Sequence, residues 1–141
     1  MATLLKHKIL KEPGAIFASN ITTDYIELSN NKVVQFLVSS GAGTSGNTTV
    51  KVKAKLGSDG EAVAIPYKEK IGQTTYNAVT SDGKTLVIGG DAGEAGYIVV
   101  EVSANSLKGE YDRVALDLTA VSESTVVGVI TALLIDARYS D

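Results

Sequence analysis

The sequence predicts an all-β fold: an antiparallel β-sandwich or barrel of about eight strands with an extended N-terminal arm. Three observations lead to this prediction. Apolar and polar side chains alternate with a period of two, as they do in strands with one buried and one solvated face. Valine is the commonest residue, and β-branched side chains favour strands over helices. Turn-forming residues separate the alternating runs at the short spacing typical of sandwiches and barrels.

The first 20 residues differ from the rest and are expected to form an arm ahead of a single β-sandwich domain, residues 21–141. Residues 1–13 hold three lysines and one glutamate, whereas the whole chain has a net charge of −3. The lysines interrupt the apolar stretch, so this is not the pattern of a signal peptide, and synthesis in the cytoplasm is expected. Two placements of the arm are open: it adds a strand to its own sheet, or it docks on a neighbouring subunit.

The alternation places the candidate strands along the rest of the chain. They are residues 24–29, 32–39, 49–56, 62–71, 84–88, 97–103, 113–119 and 125–139. The last of these is apolar on both faces, which is typical of a central strand covered on both sides. Helix content is expected to be low, at most a turn near residues 4–10 or 104–108.

Turn chemistry separates these strands. Ser58-Asp59-Gly60 and Ser81-Asp82-Gly83 predict tight hairpins, because Asp-Gly tolerates the positive φ that such turns need. Asn30-Asn31 is expected to join two early strands. The glycine-rich segments 41–46 and 89–96 predict longer, flexible loops.

The chain lacks the residue types that most enzymes and cofactor sites use. Cysteine and tryptophan are absent and there is one histidine, which excludes disulfides, thiolate zinc sites and multi-histidine metal sites. No apolar run approaches the roughly 20 residues that span a bilayer. The pI of about 5.1 argues against a nucleic-acid partner. We therefore expect no cofactor, no metal, no nucleic acid and no membrane.

The motifs that resemble catalytic or nucleotide-binding patterns lack their structural context. Residues 41–46 match G-x-G-x-x-G, but an alternating strand follows instead of the helix that would hold a pyrophosphate. Residues 78–85 resemble a phosphate-binding loop whose first glycine is alanine. Carboxylates could form a glycosidase pair, although aromatic platforms for a sugar are few; the candidates are Glu101, Glu110, Asp112 and Asp117. The sequence thus predicts a protein that is not an enzyme.

Two groups of residues are predicted to bind a partner. Lysines on one face of a strand, extended by Lys68 and Lys70, form either a solvated surface that protects a sheet edge or a patch that meets an acidic surface. The apolar residues of the arm would each contribute roughly 1.5–3 kcal/mol if a partner buried them. The candidate interface residues are Leu4, Leu5, Lys6, Lys8, Ile9, Leu10, Lys51, Lys53 and Lys55.

The order of features over residues 24–139 resembles that of tailed-bacteriophage virion proteins encoded beside the major capsid protein. An alternating strand leads through a Gly-containing turn to Ala64-Ile65-Pro66-Tyr67-Lys68. A Tyr-led valine-rich strand, Tyr97–Val102, precedes a Tyr-x-x-Val-x-Leu strand, Tyr111–Leu116. A long apolar strand then runs into Arg138-Tyr139.

This resemblance implies an auxiliary, or decoration, protein that binds and stabilises the outer surface of the phage head. Its partner would be the major capsid protein, and it would lie on the virion exterior after assembly in the host cytoplasm. It would be a homo-oligomer, such as a trimer. Three alternatives remain: a carbohydrate- or receptor-binding β-sandwich module, a head-completion or tail-tube subunit, and a small hydrolase that uses carboxylates.

Overall fold

The computed structural model describes residues 4–28, 32–70, 77–90, 97–107 and 109–136, with side chains described except at positions 4–7, 70, 90 and 136. Twelve strands lie in these residues: β1 Leu4–Gly14, β2 Ile21–Thr22, β3 Ile26–Glu27, β4 Lys32–Ser40, β5 Gly43–Lys55, β6 Val63–Ile65, β7 Tyr67–Lys70, β8 Asn77–Val79, β9 Lys84–Gly90, β10 Tyr97–Ser103, β11 Arg113–Leu118 and β12 Gly128–Asp136. A 3-10 turn, Ile16–Ala18, and one helical turn, α1 Ala104–Leu107, complete the elements.

The strands form two antiparallel sheets, which confirms the predicted fold class. The first sheet has the order β1-β12-β4-β10-β7-β8; the second has the order β2-β11-β5-β6, with β3 beside β11 and β9 beside β5. Alternate residues of facing strands, such as Phe36 of β4 and Val52 of β5, are completely buried in one shared core. The hydroxyl of Tyr67, on the first sheet, donates a 2.5 Å hydrogen bond to the carbonyl of Val50 on the second. The sheets therefore pack as a sandwich.

The strand count exceeds the predicted eight for local reasons. Pro66 has no N–H to donate to a ladder, and it splits the predicted strand 62–71 into β6 and β7. The predicted strand 24–29 contributes only the two residues of β3. β8 was not predicted, because its three residues are too short to show alternation.

The segment predicted as an arm belongs in large part to the first sheet. β1 pairs with β12 from Leu4 opposite Asp136 to Gly14 opposite Gly128, so residues 4–10 form a strand and not a helical turn. Of the two placements that the sequence left open, the structure shows the intramolecular one. Phe17, in the turn after β1, is completely buried and fixes this segment to the core.

The glycine-rich segment 41–46 was predicted to be a flexible loop, and this prediction was wrong for most of it. Residues from Gly43 onward form the first part of β5 and pair with β9, with a register shift between Gly43 and Gly46. A Cβ on Gly46 would lie 2.5 Å from Val121 Cγ1. Glycine is needed here because the segment after β11 passes close over the strand.

The two Asp-Gly turns have different roles. Residues 56–62 contain a turn closed by the Gly60 N–H and the Gly57 carbonyl, and they join β5 to its neighbour β6 as a hairpin. The turn at 81–83 is closed by Gly83 and Thr80, but β8 pairs with β7 and β9 pairs with β5. This turn therefore crosses between sheets, and the hairpin predicted there was wrong. The pair Asn30-Asn31 and residues 91–96 of the second predicted loop lie outside the described residues.

Candidate functional site

Three of the predicted interface residues project together from the second sheet. Lys51, Lys53 and Lys55 alternate along β5 with the buried Val50, Val52 and Ala54. On one side β5 pairs with β11, and on the other it pairs with β6 and β9. β5 is thus an interior strand, and the interpretation of these lysines as protection for a sheet edge was wrong.

Charged residues of β11 and β3 flank these lysines on the same surface, which we call the lysine face: Lys51, Lys53, Lys55, Arg113, Asp117 and Glu27. Lys51 lies opposite Asp117 and Lys55 opposite Arg113 in the register. Arg113 has two acidic partners of its own: its Nη2 lies 3.6 Å from Glu27 Oε1, and its Nε donates a hydrogen bond to Asp112 Oδ1 at 3.0 Å.

The Asp112 side chain ties this face to the turn after β5. Its Oδ1 accepts hydrogen bonds from Arg113 Nε and, at 2.9 Å, from the backbone N–H of Gly57. The bond from Arg113 and that from Gly57 lower the pKa of Asp112, and the bond to Asp112 raises the pKa of Arg113. Both groups are therefore ionised over the whole physiological range.

Tyr25 lies across the lysine face. Lys55 Nζ lies 4.2 Å from the centre of the Tyr25 ring, in the range of a cation–π contact, and donates to the Ser58 carbonyl at 3.0 Å. Burial, and to a smaller extent the charge of Asp117, raise the pKa of Tyr25. Lys55 is thus held by its neighbours, whereas Lys51 and Lys53 make no ion pair with any residue in the described ranges.

The other predicted interface residues do not extend this face. Lys68 lies on β7 of the first sheet, so the predicted extension through Lys68 is wrong, and the Lys70 side chain is outside the described set. On β1, Lys8 Nζ lies 3.9 Å from Asp24 Oδ2, Ile9 is 61% exposed and Leu10 packs against the core. The side chains of Leu4, Leu5 and Lys6 are not among those described. The predicted interface therefore falls on two separate surfaces.

The outward side of the first sheet is a surface that sequence reasoning missed. The described even-numbered residues of β4, β10 and β12 are buried except for the half-buried Lys32 and Leu134, so the odd-numbered ones point away from the core. Together with Ile9 of the neighbouring strand they form what we call the apolar face: Ile9, Val33, Gln35, Leu37, Ser39, Tyr97, Val99, Glu101, Ser103, Val129, Thr131, Leu133 and Ile135.

A signal for the apolar face was present in the sequence. Residues 125–139 are apolar on both faces, and from this the sequence predicted a strand covered on both sides. In the structure β12 lies between β1 and β4 as a central strand, and its inward side packs in the core through Ile130 and Ala132. Its outward residues, Val129, Thr131, Leu133 and Ile135, are half-buried, and Leu37 next to it is 39% exposed.

The carboxylates considered for catalysis do not converge. Glu101 lies on the first sheet, where it accepts a 3.1 Å hydrogen bond from Gln35 Nε2. Asp117 lies on β11 of the second sheet, and Asp112 immediately precedes that strand. Glu110 is exposed beside an open cleft of about 380 Å³ that also contains Pro66 and Tyr111. Within the described residues no group of three or more potential metal ligands occurs.

The described tyrosines are also dispersed. Tyr67 is buried, Tyr25 and Tyr111 are half-buried, and Tyr97 is 39% exposed on the apolar face. Grouped exposed tyrosines would favour a sugar-binding module, and this part of the structure does not show them. No helix in the described ranges is long and apolar enough to cross a membrane.

Comparison with known proteins relates the chain to a solved structure at the level of the fold. No protein-family model matches the sequence, and no curated protein sequence matches it significantly. Among solved structures, the chain is similar to the crystal structure of the SPBc2 prophage-derived protein YomS. The alignment covers 96% of each chain with a TM-score of 0.56 and 10% sequence identity. At this identity the likeness shows a shared fold.

Proposed function

We propose that the chain is a non-enzymatic structural protein of a tailed-phage virion, which binds and stabilises the outer surface of the capsid. Its partner is the major capsid protein, and it lies on the exterior of the head. It is made in the host cytoplasm during assembly. The resemblance in the order of strand types and the shared fold with a prophage-derived protein support a phage origin.

The observation that carries the proposal is the lysine face. Lys51 and Lys53 project from an interior strand of a rigid sheet, and neither has an ion-pair partner among the described residues. A surface with two lysines outside any described ion pair fits an acidic protein surface, and complementary charge mainly gives specificity and a fast association rate.

Modest affinity at each copy is sufficient for this function. Exposed ion pairs contribute at most about 1 kcal/mol each, so the lysine face alone does not give tight binding. On a capsid, however, identical sites repeat many times, and a ligand that binds only the assembled shell stabilises it by mass action. Contacts made by an oligomer at neighbouring sites add through avidity.

The test is binding to expanded empty heads assembled from the major capsid protein of the phage that encodes this chain. The purified protein is mixed with heads and sedimented, in parallel with the double variant Lys51→Glu/Lys53→Glu. A double variant of the first sheet, Lys11→Glu/Lys68→Glu, is the matched control because it changes the net charge equally. We expect the wild type and the control to sediment with heads and the lysine-face variant to lose roughly tenfold or more in affinity. Absence of wild-type protein from the pellet would overturn the proposal.

A further inference from the structure

We propose that the apolar face binds a second copy of this chain, so that two sandwiches stack face to face through their first sheets. The inference goes beyond the proposed function, because it concerns the isolated protein and does not require a capsid.

The composition of the apolar face indicates that another protein surface packs against it. The solvated side of an antiparallel sheet normally carries polar residues, as the lysine face does with its alternating Lys51, Lys53 and Lys55. The apolar face instead has eight apolar residues among its thirteen members, and Ile9, Leu37 and Tyr97 are 61%, 39% and 39% exposed while the other members are half-buried. Contiguous apolar patches of this kind mark protein-binding sites.

The charge distribution favours a second copy over an unlike partner. Glu101 is the described carboxylate of the face, where it lies on the interior strand β10 and accepts a hydrogen bond from Gln35. Lys68 lies opposite it on the neighbouring strand β7, so this side of the sheet carries one described charge of each sign at that position. A two-fold axis places a surface against itself, so a charged face would repel its copy, whereas a nearly neutral one does not. A charged partner would instead be matched by the lysine face on the opposite side of the sandwich.

The size of the face is sufficient for a reversible dimer. The strands β1, β12, β4 and β10 are about 4.8 Å apart, and seven residues at about 3.4 Å each give a face of roughly 20 by 20 Å. Two such faces bury on the order of 1,000 Å² of accessible surface, the lower end for specific interfaces. We therefore expect a dimer with a dissociation constant in the micromolar range.

The middle row of the face offers the best positions for testing. Ile9, Thr131 and Leu37 lie opposite one another across β1, β12 and β4. Leu37→Glu introduces a charge at the centre of the face without touching the core. Leu56→Glu is the matched control, because Leu56 is 60% exposed in the turn after β5 and lies outside the face.

Sedimentation equilibrium of the full chain across the micromolar range is the experiment. We expect the wild type and Leu56→Glu to reach twice the 14.7 kDa mass of the chain and Leu37→Glu to dissociate roughly 30-fold or more readily. A wild type that is monomeric throughout would overturn the inference. So would a Leu37→Glu variant as dimeric as the wild type, or a Leu56→Glu variant that dissociates as readily as Leu37→Glu.

A second measurement keeps the inference testable if Leu37→Glu does not fold. The chain has no cysteine, so single cysteines report proximity without background. A short bis-maleimide is expected to cross-link Thr131→Cys into dimers and to leave Lys53→Cys, on the lysine face, monomeric. Cross-linking of both variants to the same extent, or of Lys53→Cys alone, would contradict the proposed surface.

Discussion

The ring of Phe17 lies directly against the Cα of Gly128, so that a Cβ on Gly128 would be 2.2 Å from Phe17 Cε2 and 2.5 Å from Cζ. Gly128 is the first residue of β12 and pairs with Gly14 of β1. The Val121 N–H donates to the Phe17 carbonyl at 2.8 Å. The turn after β1 is thus fixed by a close contact that only glycine permits, and this contact also holds the strand at the edge of the apolar face.

Gly128→Ala is expected to destabilise the protein by about 1–3 kcal/mol, because the added methyl group forces the buried Phe17 ring out of its position. Urea denaturation measures the change in the free energy of unfolding. Gly14→Ala is the matched control, since the nearest atom to a Cβ there is 4.0 Å away. Equal effects of the two substitutions would contradict the described contact.

Asp112→Asn is expected to lower stability at neutral pH and to have little effect in acid. The pKa of Asp112 is lowered in the folded protein by its bonds from Arg113 and Gly57. A lowered pKa gives stability above the unfolded-state value that is lost as the pH falls through the folded-state value. Denaturation of both proteins between about pH 7 and pH 2.5 tests this, with Asp59→Asn in the β5–β6 turn as control. A wild-type advantage that persists at the lowest pH would argue against this role of the carboxylate.

Tyr67→Phe is expected to cost about 1–2 kcal/mol at neutral pH, because the Val50 carbonyl loses the hydrogen bond that joins the sheets. Burial raises the pKa of Tyr67 well above its ordinary value. The unfolded chain therefore ionises this hydroxyl first, and the wild type loses stability as the pH rises above about 10. The difference between wild type and variant should shrink in guanidinium titrations at alkaline pH. A constant difference would contradict the burial of the hydroxyl.

Alternation of apolar and polar residues was sufficient to predict those strands whose structure is determined by their own residues. The strand 97–103 was predicted with the bounds that the structure shows, and 32–39 differs from β4 by one residue. In both, buried valine, isoleucine or phenylalanine residues alternate with outward residues over about seven positions. Such runs are determined by burial of one face, which is visible in the sequence alone.

Structure that depends on distant partners could not be predicted in this way. The segment around Gly43 and Gly46 becomes a strand because β9 pairs with it and Val121 packs against it, and both partners are remote in sequence. Likewise, the placement of residues 4–14 depends on β12 at the opposite end of the chain. Propensity at these positions is overridden by tertiary pairing.

The same reason limited the prediction of the interaction surfaces. Alternation showed that Lys51, Lys53 and Lys55 share a face, but not that β5 is an interior strand. Lys53 and Lys68 looked equivalent in sequence and lie on different sheets. The sequence carried a signal for β12 alone, and the extent of the apolar face was defined only by the register that brings residues of β1, β12, β4 and β10 into common rows.

Calorimetry of expanded heads at increasing amounts of the purified protein tests the central claim most directly, since it measures both binding and stabilisation. A ligand that binds only the assembled shell raises the melting temperature of the shell. Once the free ligand concentration exceeds the dissociation constant, this rise grows with the logarithm of that concentration. We predict an upward shift of the head transition that is weakened by Lys51→Glu/Lys53→Glu and retained by Lys11→Glu/Lys68→Glu. A head transition that stays at the same temperature at every ratio of protein to heads would contradict the account.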